Sequence, residues 1–227
     1  MAKEIFGNDK KNRTRLPLNR DRIFTAAMEI ADERGVGAVT MREVSSRLHV
    51  EAMSLYNHVA NKDDILDGMV DLVIDQFDLP EDTGNWREAM HRRAVSAHRL
   101  FQLHPWVPSL LDSRKSSGPS RLHYFEWVLG TLFKAGFSID GAGRAFSLLD
   151  SYIYGFSIQQ SNASADGEAT AEEMAAAMLE SIPADKYPNL YRMAMNSMQS
   201  GYDIEADFSF GLKIILDGLE RILKESH

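Results

Sequence analysis

Apolar residues recur along this chain at spacings of three and four, from Asn19 to about Lys224, and nowhere alternate in the period of two that a strand requires. That periodicity restricts the chain to an all-α fold. Pro105, Pro108, Pro119, Pro183 and Pro188 fall at breaks between the helical segments, where a missing N–H is tolerated. No glycine-rich phosphate loop, nucleophile elbow or His-Glu-x-x-His motif interrupts the pattern, which argues against an all-helical enzyme. No cofactor is expected.

The N-terminal segment is the most explicit. Asn19 is a good N-cap, and Ile23, Ala26, Ala27, Ile30 and Ala31 mark one buried face of the helix that follows. Gly35 suits a left-handed C′ residue. Thr40-Met41-Arg42-Glu43 reads as a capping box opening a second, short helix buried through Val44 and Leu48. A third is expected from about Ala52 to Val59, with Leu55, Tyr56 and Val59 as its apolar residues, and Asn61-Lys62-Asp63-Asp64 caps a fourth. Two short helices joined by a few residues and braced by a longer one form either a helix-turn-helix or an ordinary three-helix cluster. Further helices are expected over 85–103, about 119–135, about 140–160 and 204–224, with Ser161–Gly167 as a loop. The division expected is a basic flexible tail over 1–18, a helix-turn-helix over 19–66 and a helical domain over 67–227.

Charge distribution bears on partners. The chain carries −8 overall, yet its first 62 residues hold eleven Lys or Arg against eight Asp or Glu. The basic segment can meet phosphates that the acidic remainder would repel. Lys3, Lys10, Lys11, Arg13 and Arg15 make the first residues either an idle tail or an arm reaching toward DNA. The absence of cysteine excludes disulfides. With no signal-peptide stretch and no apolar run near the ~20 residues of a membrane span, a cytoplasmic location without membrane partners is expected.

Val39-Thr40-Met41-Arg42-Glu43-Val44, then Leu48-x-Val50, Ser54-Leu55-Tyr56-x-His58-Val59-x-Asn61-Lys62 and Ile65-Leu66-Asp67 resemble the DNA-binding domain of the TetR (tetracycline repressor) family over residues 20–70. Phe210-Gly211-Leu212-x-x-Ile215-x-x-Gly218-Leu219-Glu220 resembles the last helix of tetracycline repressors, and Ala135-Gly136-Phe137-Ser138 the turn before their long helix. Where the family commonly has glycine, between helices two and three, this chain has His49. The resemblance implies a dimeric repressor that leaves a palindromic double-stranded operator when a small-molecule effector binds. It points the third helix into the major groove, with Glu51, Ala52, Met53, Ser54, Asn57 and His58 facing DNA.

The chemistry permits those roles. Asn57 can pair with adenine, Met53 or Ala52 can touch a thymine methyl, Glu51 can accept from cytosine, and Arg42 can read guanine or grip phosphate. Thr40, Tyr56 and Lys62 suit phosphate oxygens. The Tyr56 ring is also expected in the domain core, and His58 has the alternative of filling space against helix four.

The effector site is sought among Arg93, Ala97, Phe101, Leu110, Leu111, Phe125, Val128, Leu129, Asp150 and Tyr154, a mostly apolar set with a few polar groups. Asp150 lies inside an apolar run and needs a partner, either Arg93 or a cationic ligand. The resemblance also places Leu111 and Gln159 where tetracycline repressors hold magnesium, and neither is a useful ligand for that ion. His91 and His98 are read as core or surface residues and no metal site is expected. Gly211, Ile215, Gly218 and Ile222 are the expected dimer contacts on the last helix.

Overall fold

The computed structural model describes residues 17–81, 84–114, 118–165, 176–177, 179–200 and 203–225, with no strand among them. The basic tail lies outside this set except for Pro17 and Leu18. Ten α-helices are assigned among these residues: α1 (Arg20–Arg34), α2 (Met41–Leu48), α3 (Ala52–Leu55), α4 (Lys62–Ile74), α5 (Trp86–Leu103), α6 (Val107–Ser113), α7 (Pro119–Lys134), α8 (Ile139–Ala165), α9 (Pro188–Ser200) and α10 (Ile204–Glu225). The short α6 and the amphipathic α9 go beyond the helices expected from periodicity. The expected loop at Ser161–Gly167 is corrected, since α8 runs on to Ala165 and only Asp166 and Gly167 fall outside the described residues. Small polar residues there extend a helix already nucleated by its buried half.

Local signals place the helix ends. The Asn19 side chain accepts from the Arg22 N–H, Asn61 from Asp64 and Asn85 from Glu88. Gly35 has φ 78°, but its ψ of 161° is extended, so it turns the chain out of α1 without completing a left-handed cap. The Thr40 hydroxyl accepts from the Glu43 N–H at 3.1 Å. The reciprocal half of that capping box is replaced by an ion pair from Glu43 to Arg34 of α1.

A continuous apolar core joins the two ends of the molecule. Ile23, Ile30, Val44, Leu55, Val59 and Ile65 are buried at one end, Phe101, Val128, Leu132, Leu149 and Phe208 at the other, and Met69, Val73 and Phe77 link them. Polar clasps add to this join. Asp32 of α1 accepts from the Trp106 indole N–H at 2.7 Å and meets His104 Nδ1 at 2.9 Å, just before α6. Just after α6, Arg114 is held by Asp63 and Asp67 of α4. Asp71 of α4 accepts from the Ser120 and Arg121 N–H groups, both at 3.2 Å, and so caps α7. Helix α6 is thus fastened at both ends to the N-terminal helices.

Candidate nucleic-acid interface and interior site

The turn between α2 and α3 decides where α3 points. His49 is left-handed, φ 55° and ψ 45°, with its N–H bonded back to the Ser45 and Ser46 carbonyls. It stands in for the family's glycine, with the strain that a non-glycine residue carries in that conformation. Helix α3 is a single α-helical turn instead of the expected run to Val59. Val59 is still buried, but the His58 and Val59 N–H groups both bond back to the Leu55 carbonyl, so the chain leaves α3 in tight turns, and Arg20 caps the His58 carbonyl at 2.7 Å.

Most of the ten expected DNA residues lie on the accessible side of this unit. Thr40, Arg42, Glu51, Met53, Tyr56 and Asn57 are exposed, and Ala52, Ser54, His58 and Lys62 are half-buried. Met53 is 75% exposed, far from a core environment. The expected packing of the Tyr56 ring into the core is corrected: half of the residue is exposed and it stands outside the core cluster, because the turn after Leu55 swings it outward.

The cations separate into two sets. Arg20 pairs with Asp64, Arg34 with Glu43, and Arg47 with Glu29 and Glu33, while Arg22 donates to the Pro17 carbonyl. Arg42 and Lys62 have no acidic partner among the described residues. They flank α3 in sequence and stand at the N-terminal turns of α2 and α4, where helix dipoles already favour an anion.

The interior site is a polar cluster within apolar surroundings. Arg93 Nη2 donates to Asp150 Oδ1 at 2.9 Å, the Tyr124 hydroxyl donates to the same oxygen at 2.6 Å, and the Tyr154 hydroxyl donates to Oδ2 at 3.0 Å. Of the two partners expected for Asp150, the protein cation is the one found. Burial pushes the Tyr124 phenol well above its ordinary pKa, with Arg93 opposing and the Asp150 carboxylate adding to the rise. Burial and Asp150 likewise raise Tyr154. Both phenols therefore stay protonated and donate.

Phe101 lies 5.7 Å from the Tyr154 ring, Ala97, Leu111 and Val128 are buried in the apolar core, and Leu110, Phe125 and Leu129 pack against that core half-buried. Sequence reasoning missed Tyr124. Its signal was its spacing: four residues before Val128 and eight before Leu132, it belongs to the buried stripe of α7. His98 is a core residue, stacked on Phe208 at 4.1 Å with Ser157 Oγ 3.3 Å from Nδ1. Burial pulls its pKa below the ordinary histidine value, with Glu205 opposing. His91 lines a surface groove on α5. Leu111 is buried and Gln159 exposed.

On α10 the four expected dimer residues divide. Gly218 has open space where a Cβ would be, and Ile222 is 52% exposed. Gly211 and Ile215 face their own chain. A Cβ on Gly211 would lie 2.3 Å from the Tyr152 hydroxyl, which donates to the Phe208 carbonyl at 2.8 Å, and Ile215 packs against the core. The open face is instead Phe210, Ile214, Gly218 and Ile222, at steps of four. It ends at a cavity of about 370 Å³ lined by Phe137, Arg144, Leu148, Leu219, Ile222 and Leu223 among others.

Comparisons with known proteins agree with this architecture. The family described as bacterial regulatory proteins, tetR family, matches residues 23–69, and the tetracyclin repressor-like C-terminal domain matches residues 79–223. An HTH-type transcriptional regulator of Saccharopolyspora erythraea is 33% identical over 215 residues, covering 94% of this chain and 89% of that protein. The HTH-type transcriptional repressor DrrR1 of Streptomyces coeruleorubidus is 33% identical over 217 residues, 92% of this chain and 79% of its own. Among solved structures, apo ActR from Streptomyces coelicolor superposes with a TM-score of 0.76 at 29% identity, covering 93% of this chain and 99% of that one. ActR in complex with actinorhodin gives 0.75 at 31% identity, over 89% and 95%. With both domain families matched in order and a polar-tipped helix-turn-helix built on the described residues, the chain belongs to the TetR family and is a DNA-binding transcriptional regulator.

Proposed function

We propose that this protein is a homodimeric cytoplasmic repressor that holds a palindromic operator and releases it when a small molecule occupies the region around Asp150. The observation that carries the DNA side is the pair of unpartnered cations, Arg42 and Lys62, beside the exposed row Glu51, Met53, Tyr56 and Asn57. In this reading Arg42, Lys62, Thr40 and Tyr56 grip the phosphates and position α3. Ala52, Met53, Ser54 and Asn57 reach base edges, with His58 and Glu51 at the margin. A single such unit offers few contacts, and a two-fold pair doubles them over half-sites about one helical turn apart or slightly more.

The pairing surface is the apolar row Phe210, Ile214, Gly218 and Ile222, whose exposure on a lone chain is otherwise unfavourable. Among the described residues no helix is long and apolar enough to cross a membrane. Release then follows from a population shift. Effector contacts on α5, α7 and α8 bias α6, and its two clasps, Asp32 with His104 and Trp106, and Arg114 with Asp63 and Asp67, carry the bias to α1 and α4. ActR, whose structure with actinorhodin is known, supports a ligand site in a chain of this build.

Fluorescence anisotropy of the purified protein on DNA flanking its own gene, against a scrambled duplex at fixed salt, tests the reading. A preference of ~10³ or more is expected of a specific reader. Equal, weak, salt-sensitive binding to both duplexes would reject the operator placement.

A further inference from the structure

We propose that Arg93 is the anchor for a planar aromatic effector bearing an acidic oxygen, a carboxylate or phenolate. This rests on the ligand-released reading above. Asp150 is well supplied: it takes three of the roughly four hydrogen bonds a carboxylate can accept, from Arg93 and Tyr124 on one oxygen and from Tyr154 on the other.

Arg93 is the opposite case. It is fully buried, it spends Nη2 on Asp150, and its Nε and Nη1 find no acceptor among the described residues. A guanidinium offers five N–H groups in a fixed fork, and leaving charged donors buried without acceptors is costly. An anionic oxygen brought within reach of Nη1 or Nε recovers that cost and gains a charge-assisted bond.

Aromatic rings around the cluster match the rest of the ligand. The Arg93 guanidinium carbon lies 5.4 Å from the Tyr124 ring centroid. Phe77 meets Tyr124 edge-on at 5.4 Å, Phe101 lies 5.7 Å from Tyr154, and Phe125 and Phe146 meet edge-on at 5.3 Å. Rings in such arrangements accept another flat ring by stacking or edge contact. In the present conformation both orphan nitrogens are shielded. Tyr154 is the partly exposed member, held to Asp150 by the longest of the three bonds, and its displacement opens the way. An effector that binds only after that displacement has the differential affinity for two states that release requires.

The test uses the full-length protein and three fluorescent probes of one shape: anthracene-2-carboxylate, anthracene-2-carboxamide and 2-(aminomethyl)anthracene. The carboxylate is expected to bind at least about tenfold more tightly than the carboxamide, as one charge-assisted hydrogen bond implies, and the ammonium more weakly than either. Arg93→Lys, which keeps the charge opposite Asp150 but loses the fork, should erase most of that preference, whereas Arg99→Gln on the exposed face of α5 should keep it. Equal affinity for the three probes, no binding of any, or a preference that survives Arg93→Lys overturns the assignment. If Arg93→Lys does not fold, the three-probe comparison on the native protein decides alone. The same probes are then added to the protein–operator complex. Tight carboxylate binding without operator release rejects the ligand-released reading and leaves the Arg93 assignment standing.

Discussion

Replacing Asp150 with alanine should be among the most damaging single changes in the C-terminal half, and the structure gives the size. The substitution leaves Arg93, which is 0% exposed, as a buried charge with no counter-ion. Breaking a buried pair by removing one partner costs roughly 3–5 kcal/mol. Tyr124, 1% exposed, loses its one acceptor among the described residues as well, adding about 1 kcal/mol, while the half-buried Tyr154 adds less. The expected loss of about 4–6 kcal/mol is a large part of the ~5–15 kcal/mol that holds a domain folded. The triple variant Arg93→Met, Tyr124→Phe, Asp150→Leu removes every buried polar group that the single change orphans, and should return to within about 2 kcal/mol of the native protein. Guanidinium denaturation followed by far-UV circular dichroism, at one fixed protein concentration because the protein is a proposed dimer, measures both. A loss under ~1 kcal/mol for Asp150→Ala, with an unchanged m-value, would mean that water reaches the cluster and that the burial reasoning is wrong. A triple variant as unstable as the single one would refute the assignment of the loss to orphaned polar groups.

Lys62→Ala and Arg42→Ala should each weaken operator binding and lower the slope of log K against log salt by about 1 for each phosphate the variant no longer grips, read by anisotropy titrations; an unchanged slope removes the residue from the interface. Ile214→Glu places a charge in the middle of the exposed apolar row and should give monomers in sedimentation velocity, whereas Gly211→Ala should lower the melting temperature through its clash with Tyr152; a persistent Ile214→Glu dimer would move the interface elsewhere. His98 has a folded pKa below the unfolded value of about 6.5, so the unfolded chain binds the extra proton first and stability present above that pH is lost as pH falls toward the folded value. Denaturation midpoints should therefore decline below about pH 6.5 in the native protein and decline less in His98→Asn; parallel declines would assign the effect to other groups.

Much of the N-terminal unit was legible because its determinants are local. Asn19, Thr40 and Asn61 cap helices through residues three positions away, and the buried faces of α1, α2 and α4 follow from spacing within each helix. His49 was identifiable as the turn residue from the motif around it, and its left-handed backbone agrees. The length of α3 was not legible, since Leu55, Tyr56 and Val59 keep helical spacing although the chain leaves the α-helix after Leu55 in tight turns.

The sequence by itself determined that the chain is all-helical, that it carries a helix-turn-helix, and that Asp150 needed a partner. Tertiary structure alone decided who that partner is and what else joins it. Arg93, Tyr124 and Tyr154 meet Asp150 from three helices, and only their packing fixes which nitrogens of Arg93 are used and which are not. The same holds for α10, where apolar residues occupy more than one face. Periodicity cannot tell the face that meets α8 from the face left open, because neighbouring positions differ by only about a quarter turn on the helix. The close fit of Gly211 against Tyr152 settles that rotation, turning Gly211 inward and leaving Phe210 and Ile214 outside.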